Sequence, residues 1–132
     1  MRITMLGTGA AEGIPAFYCD CAVCRHAEDT GGRNVRTRSS VLIDGLLKID
    51  HGPDAYAHKL MHGVDYRALC GILFTHAHDD HLSPTEFIWR EHHFIQVDMP
   101  PMLVIAGNRS VIERFTPIAD RYGTDLTQLF EQ

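Results

Sequence analysis

Thr75-His76-Ala77-His78-Asp79-Asp80-His81 reads as H-x-H-x-D-H and directly follows the apolar run Gly71-Ile72-Leu73-Phe74. A short apolar run without alternation is the pattern of a strand buried on both faces. It delivers His76 at its C-terminal end, and extended geometry there sends residues i and i+2 to the same side, so His76 and His78 can share one metal ion. Asp80 and His81 come after the turn, close enough to bind a second ion about 3.5 to 4 Å away. Three imidazoles and a carboxylate suit a dication such as zinc or manganese. A hydroxide held between two such ions would be the nucleophile, since metal binding brings the pKa of water to about 7. Asp80 is the catalytic candidate of the string, and Asp79 is expected to face solvent or to add charge behind the ligands. The competing reading is a polar turn that happens to carry surface histidines, and the spacing argues against it.

Upstream of this string, Arg2 to Leu6 reads as a first strand ended by the turn Gly7-Thr8-Gly9. Ser40 to Ile43 and Leu46 to Asp50 flank Asp44-Gly45, a pair favoured in two-residue hairpin turns because both positions must tolerate positive φ. Pro53 can open a helix through Asp54 to His62, with Gly63 placed to stop it. Downstream, Ser83-Pro84-Thr85-Glu86 has the marks of a helix start, and that helix is expected to run to about Phe94. Met102 to Ile105 reads as another strand. Asn108 then caps a helix carrying Val111, Ile112, Phe115 and Ile118, which Pro117 kinks or interrupts and Gly123 closes. Strands come first as a meander and later alternate with helices. The fold class is therefore α/β, a mixed β-sheet covered on at least one face by helices.

Residues 16 to 40 read as a long irregular stretch, and a loop of that length in a compact domain is usually functional or tied down. Cys19, Cys21 and Cys24 offer the tie as a C-x-C-x2-C cluster. Three thiolates at this spacing can occupy three corners of a structural zinc site, with a fourth ligand from elsewhere. A redox pair or plain loop cysteines are the alternatives. His26 is a weakly indicated fourth ligand, and Cys70 is expected to be a small buried residue. The glycines at 7 and 9 lack the spacing and the lysine of a nucleotide loop, and are expected to let backbone pass close to the metal cleft. Arg33, Arg36 and Arg38 read as a solvated basic run, with contact to a substrate phosphate as the sharper option. His51, His58 and His62 read as surface residues, and His92-His93 as non-ligands near a helix end.

At 132 residues and 14.8 kDa the chain suits one domain. A net charge of −5 opposes general binding to a phosphate backbone, so nucleic acid is not the expected partner. No stretch resembles a signal peptide or a membrane span, and four cysteines do not form a secreted disulfide framework, so the expected location is cytoplasmic.

With these residues in hand, the sequence resembles the metallo-β-lactamase superfamily of metal-dependent hydrolases. The resemblance is carried by Leu6-Gly7-Thr8-Gly9 with Gly13 and Pro15, by Ile49-Asp50-x-Gly52, and by Thr75-His76-x-His78-x-Asp80-His81. The added Cys19-x-Cys21-x2-Cys24 looks like the branch of phosphoribosyl cyclic phosphate phosphodiesterases. The resemblance runs from Met1 to about residue 106. It implies an αβ/βα sandwich of which this chain is the first half, over residues 1–132. It also implies a first metal on His76 and His78, a second on Asp80 and His81, and structural zinc on Cys19, Cys21 and Cys24. The implied substrate is a small phosphodiester. The family fold is about twice this length, so the remaining ligands would lie beyond Gln132. The expectation is therefore an N-terminal half, whose uncovered sheet would be met by a second copy or a partner chain. A non-catalytic zinc-binding half-domain stands as the alternative to an enzyme. Within the superfamily, Arg33-Asn34-Val35 and Ser39-Ser40 also resemble the tRNA 3′-end processing ribonucleases, and the cysteine spacing resembles the B protein of pyrroloquinoline quinone synthesis.

Overall fold

Asp44 and Gly45 both take positive φ, 52° and 77°, and the turn they make joins β2 (Ser40–Ile43) to β3 (Leu47–Ile49) as the expected hairpin. The structure, a computed structural model, describes residues 1–91, 94, 102–126 and the backbone of 130–131. β1 (Ile3–Gly7) pairs antiparallel with β2. β4 (Gly71–Leu73), β5 (Leu103–Ala106) and β6 (Phe130–Glu131) then add in parallel, giving a mixed six-stranded sheet in sequential order.

Parallel neighbours require crossovers, and sequential right-handed crossovers put their helices on one face. The crossovers are α2 (Ala55–His62), a 3-10 helix over Pro84–Arg90, and the pair α3 (Arg109–Glu113) and α4 (Thr116–Tyr122). Leu6, Leu42, Ile72, Leu103 and Ile105 of the sheet meet Phe87, Val111 and Phe115 from these segments in a single core. The opposite face has no such cover among the described residues. The register aligns Ile3, Ile43, Leu47 and Val104 in one row and Met5, Val41, Ile49 and Leu73 in the next. Ile3, Met5, Leu47, Leu73 and Val104 are 37–55% exposed, a contiguous apolar surface of the kind that marks an interface.

Caps explain where the helices begin and stop. Asn108 accepts from the Val111 backbone N–H at 3.1 Å, and Gly63 and Gly123 end α2 and α4 in the left-handed region. Pro117 sits in the first turn of α4, so the expected interruption is a break between two helices. The helix expected from Ser83 is instead a 3-10 helix ending at Arg90, because its capping box does not form. Ser83 makes no side-chain cap, and the Glu86 carboxylate turns to His51 Nε2 at 2.9 Å. Residues 92–93, and with them the two histidines expected near that helix end, lie outside the described residues.

The stretch 16–40 is not irregular throughout. α1 (Ala22–Thr30) begins at Cys21 and buries Cys24 and Ala27, and a 3-10 turn follows over Gly32–Asn34. The glycines after β1 serve this segment rather than the metal cleft. A Cβ on Gly7 would fall 2.0 Å from the Arg38 carbonyl oxygen, so only glycine lets 36–38 run alongside. Arg38 is likewise no solvated residue: its guanidinium meets Asp54 at 2.8 Å, with both side chains largely buried, and its backbone N–H donates to the same carboxylate. Asp54 is thereby diverted from capping α2.

Two histidines expected at the surface are buried. His51 meets Glu86, and His58 shares a hydrogen bond with Thr37 Oγ1 at 2.9 Å. Cys70, expected inside, is exposed, with its thiol on the Leu46 carbonyl. Among the described residues no helix is long and apolar enough to cross a membrane.

Burial lowers the His58 pKa to about 4, and lowers that of His51 as well. Between about pH 6.5 and 4 the unfolded chain therefore takes up protons that the folded chain refuses. Stability is expected to be full above this window and to fall through it on acidification, by up to about 3 kcal/mol for His58. Urea unfolding across the window measures the slope, and His58→Gln should flatten it.

Candidate metal centre

The centre is built around Asp50, the residue after β3. It is 4% exposed and adopts φ +59°, unusual for a side chain other than glycine. Its carboxylate accepts the Thr75 backbone N–H at 2.8 Å, the Thr75 hydroxyl at 2.9–3.0 Å and His81 Nδ1 at 2.7 Å. Lys48 holds the turn from beneath: its ammonium, fully buried, donates to Ser40 Oγ at 2.8 Å and to the Asp50 backbone carbonyl. Burial lowers the Lys48 pKa to about 8, against the pull of Asp50 and Glu86, so it remains an ammonium at neutral pH.

This network determines which nitrogen each histidine presents. A carboxylate only accepts, so His81 Nδ1 carries the proton and Nε2 is the free donor atom. Thr75 Oγ1 gives its single proton to Asp50 and lies 3.0 Å from His76 Nδ1, which must then donate to it. Both rings therefore keep Nε2 available, the arrangement by which outer carboxylates orient metal-binding imidazoles.

Backbone closes the site. His51 N–H donates to the His81 carbonyl and Ser83 N–H to the His51 carbonyl, while His81 and Leu82 N–H reach back to the His78 carbonyl. A Cβ on Gly52 would lie 2.0 Å from the Asp80 carbonyl oxygen, so glycine is required for this approach.

His76, Asp80 and His81 place one donor atom each within 4.8 Å of one another, and the His81 Nε2 to Asp80 Oδ2 separation is 3.1 Å. Two imidazole nitrogens and a carboxylate oxygen, half-buried and pre-oriented, fit a zinc or manganese ion. His78 stands beside them, its ring 4.5 Å from that of His76, but exposed and outside the three-donor group. It lines a cleft of about 430 Å³ together with Arg38, Asp79, Asp80 and Arg114. Asp79 faces solvent and pairs with Arg114.

Cys19, Cys21 and Cys24 also come within 4.8 Å of one another, at the start of α1. The Cys24 backbone N–H and the neighbouring thiols bring the Cys21 pKa down to about 7. Cys24 accepts from the Ala16 N–H, yet burial and the two adjacent thiols raise its pKa. Three sulfurs sharing protons in one place fit a thiophilic ion such as zinc. His26 does not join them. Sequence reasoning missed Asp50 and Lys48 as site residues. The Asp50-x-Gly52 step was the available signal for the first, and no local pattern marks the second.

No family model matches the chain. The octanoyltransferase of Porphyromonas gingivalis is 37% identical over 85 residues, which are 63% of this chain and 17% of that protein. Coenzyme PQQ synthesis protein B of Methylorubrum extorquens is 26% identical across 99% of this chain and 48% of that protein. Among solved structures, a diphosphatase from the PhnP family matches with a TM-score of 0.67 and 26% identity, over 98% of this chain and 48% of that one. Zinc-bound PqqB from Methylobacterium extorquens matches at 0.67 and 21% identity, over 90% of this chain and 41% of that one. Human tRNase Z, short form, matches at 0.62 and 20%, over 99% and 42%. The chain thus spans about half, or less, of the length of each.

Replacing the carboxylate that orients His81 tests the network. Asp50→Asn is expected to weaken zinc binding about 10- to 100-fold by calorimetry. Thr75→Val, which removes the hydroxyl between Asp50 and His76, should weaken it in the same direction.

Proposed function

We propose, from a fold shared with metallo-β-lactamase-like hydrolases, that the chain serves metal-dependent hydrolysis of a phosphodiester bond. His76, His78, Asp80 and His81 are the proposed ligands of zinc or manganese. The observation that carries this reading is the convergence of His76, Asp80 and His81 with Asp50 fixing the His81 ring. Fold similarity to a PhnP-family diphosphatase over nearly the whole chain supports phosphorus–oxygen chemistry.

Held by His76, His78, Asp80 and His81, divalent ions would supply a water-derived nucleophile at neutral pH and positive charge for an anionic substrate. The chain's own residues hold and orient. Asp50, through Thr75 and His81, keeps two imidazoles from rotating away from the ligand position. Asp80 and His78 face the cleft, whose size suits a small phosphodiester. Arg38 and Arg114 line the same cleft, and each is already paired with a carboxylate. Their role is to position an anion rather than to neutralise it, and the net charge for binding must come from the ions. Cys19, Cys21 and Cys24 are the proposed ligands of a separate structural zinc that anchors the 16–24 loop. A cluster of thiolates held by zinc suits a reducing compartment, and a cytoplasmic location is proposed on that ground.

The open sheet face favours a second reading, in which the chain is a zinc-binding half-domain that depends on a partner. A second copy or a complementary chain would bury Ile3, Met5, Leu47, Leu73 and Val104 and bring further ligands to the cleft.

Elemental analysis, mass in solution and hydrolysis of bis(p-nitrophenyl) phosphate separate these readings. The enzyme reading expects hydrolysis only with added manganese or zinc, lost in His76→Ala and confined to the species in which the sheet is covered. Metal bound in that species without any hydrolysis would leave the half-domain reading standing. Cys21→Ser is expected to remove one zinc equivalent and to lower the thermal midpoint, without changing metal bound at the histidines.

A further inference from the structure

Arg38 and Arg114 both line the cleft beside the histidines, but they are held in different ways. Arg38 is locked. Its side chain and that of Asp54 are only 17% and 16% exposed, the same carboxylate accepts the Arg38 backbone N–H, and the Ala11 carbonyl accepts Nε–H. A buried pair of this kind loses most when one side is withdrawn, so Arg38 stays where it is.

Arg114 is anchored only through its backbone. It follows α3 between the buried side chains of Val111 and Phe115, and its N–H donates to the Val111 carbonyl. Its guanidinium is 46% exposed and pairs with the Asp79 carboxylate, itself 85% exposed. An exposed pair shifts an equilibrium by no more than about fivefold. Arg and phosphate, by contrast, can meet through two parallel N–H···O bonds, which a fixed planar fork suits. Asp79 stands in the chain between His78 and Asp80, and all three line the cleft. An anion held beside His78 and Asp80 therefore competes with Asp79 for the same guanidinium.

We propose that Arg114 exchanges partners, leaving Asp79 for a phosphoryl oxygen when an anionic substrate enters the cleft. Asp79 holds the arginine over the cleft beforehand and sets a threshold that an anion passes and a neutral ester does not. The carboxylate left behind is exposed and returns to water at little cost. This inference rests on the phosphodiester reading of the same cleft and deepens it: Arg114 selects for charge, while Arg38 only shapes the wall.

The test is 15N NMR of the arginine Nε–H groups in zinc-saturated protein, titrated with dimethyl phosphate, a diester too stable to hydrolyse during the measurement. The Arg114 resonance, assigned by its loss in Arg114→Gln, is expected to shift to saturation while that of Arg38 stays. Trimethyl phosphate, similar in shape but uncharged, should move neither. By calorimetry, Asp79→Asn should tighten dimethyl phosphate about threefold to fivefold, and Arg114→Gln should weaken it about fivefold or more. With Arg114→Gln already in place there is no pair left to break, so most of the gain from Asp79→Asn should vanish. An Arg114 resonance unmoved at saturating diester, or an equal gain from Asp79→Asn with and without Arg114, overturns the proposal and leaves the hydrolase reading in place. No binding of the diester at any zinc concentration overturns both.

Discussion

One carboxylate, that of Asp50, joins the parts of this molecule that bear on chemistry. It lies where β3 ends, receives the second residue beyond β4 through both N–H and hydroxyl of Thr75, and receives the histidine loop through His81. A buried carboxylate is tolerated only when its oxygens are satisfied, and removing a partner from such a group typically costs about 3 to 5 kcal/mol. The left-handed backbone at Asp50 has its own cost, of order 1 to 3 kcal/mol for a non-glycine residue. The Lys48 ammonium on the Asp50 carbonyl and Ser40 Oγ on the same group offset it. Strain at this one residue is what aims its carboxylate at Thr75 and His81 rather than along the strand.

Lys48 completes this arrangement from an unexpected direction. The buried row of the sheet runs Thr4, Leu42, Lys48, Ile72 and Ile105, so a lysine occupies the position where an aliphatic residue would pack best. Burial, only partly opposed by Asp50 and Glu86, brings its pKa to about 8, a net disadvantage of about 3 kcal/mol for the charged form. The cost is tolerable because Asp50 and Glu86 are close by and because the ammonium fills hydrogen-bonding needs that no aliphatic side chain could. The other face of the sheet inverts the pattern, leaving Leu47 and Val104 exposed while lysine is buried. Both departures follow one division: the polar layer of Lys48 and Asp50 that holds the histidine loop lies on the helix side, and the opposite face carries the exposed apolar row.

Much of the fold was legible because short-range rules governed it. Asp44-Gly45 demands a hairpin, Gly63 and Gly123 demand helix ends, and Asn108 demands a cap, each through backbone conformation alone. The apolar strand before His76 was legible for the same reason. What could not be read were choices made by distant partners. Ser83-Pro84-Thr85-Glu86 carries a capping-box pattern, but Glu86 finds His51 35 residues away and the box is lost. His58 has the look of a surface helix residue until Thr37 meets it across the core. α1 was hidden because Cys21 starts it without a side-chain cap and it buries only the small side chains of Cys24 and Ala27. For the site, the residues that converge, His76, Asp80 and His81, stood in a single run of sequence, whereas the network that orients them depends on contacts 25 and 31 residues apart.

The cysteine loop is tied to the metal cleft by Arg38. Its guanidinium lies over the ring of Phe17 at 5.5 Å, donates to the Ala11 carbonyl, pairs with Asp54 at the start of α2 and lines the cleft beside Asp80. Phe17 sits two residues before Cys19, so any ion that fixes the three thiols also restrains the loop that carries Phe17. Restraint passes through few rotatable bonds: thiols to loop, loop to Arg38, Arg38 to Asp54, and Asp54 to the helix that starts against Gly52 and the Asp80 carbonyl. On the proposed reading the structural zinc is therefore more than a clamp on a surface loop. It limits the positions open to one wall of the cleft, and the rigid element that carries this limit is a buried ion pair with both partners held by further hydrogen bonds, the kind that loses most when one side is left unpaired.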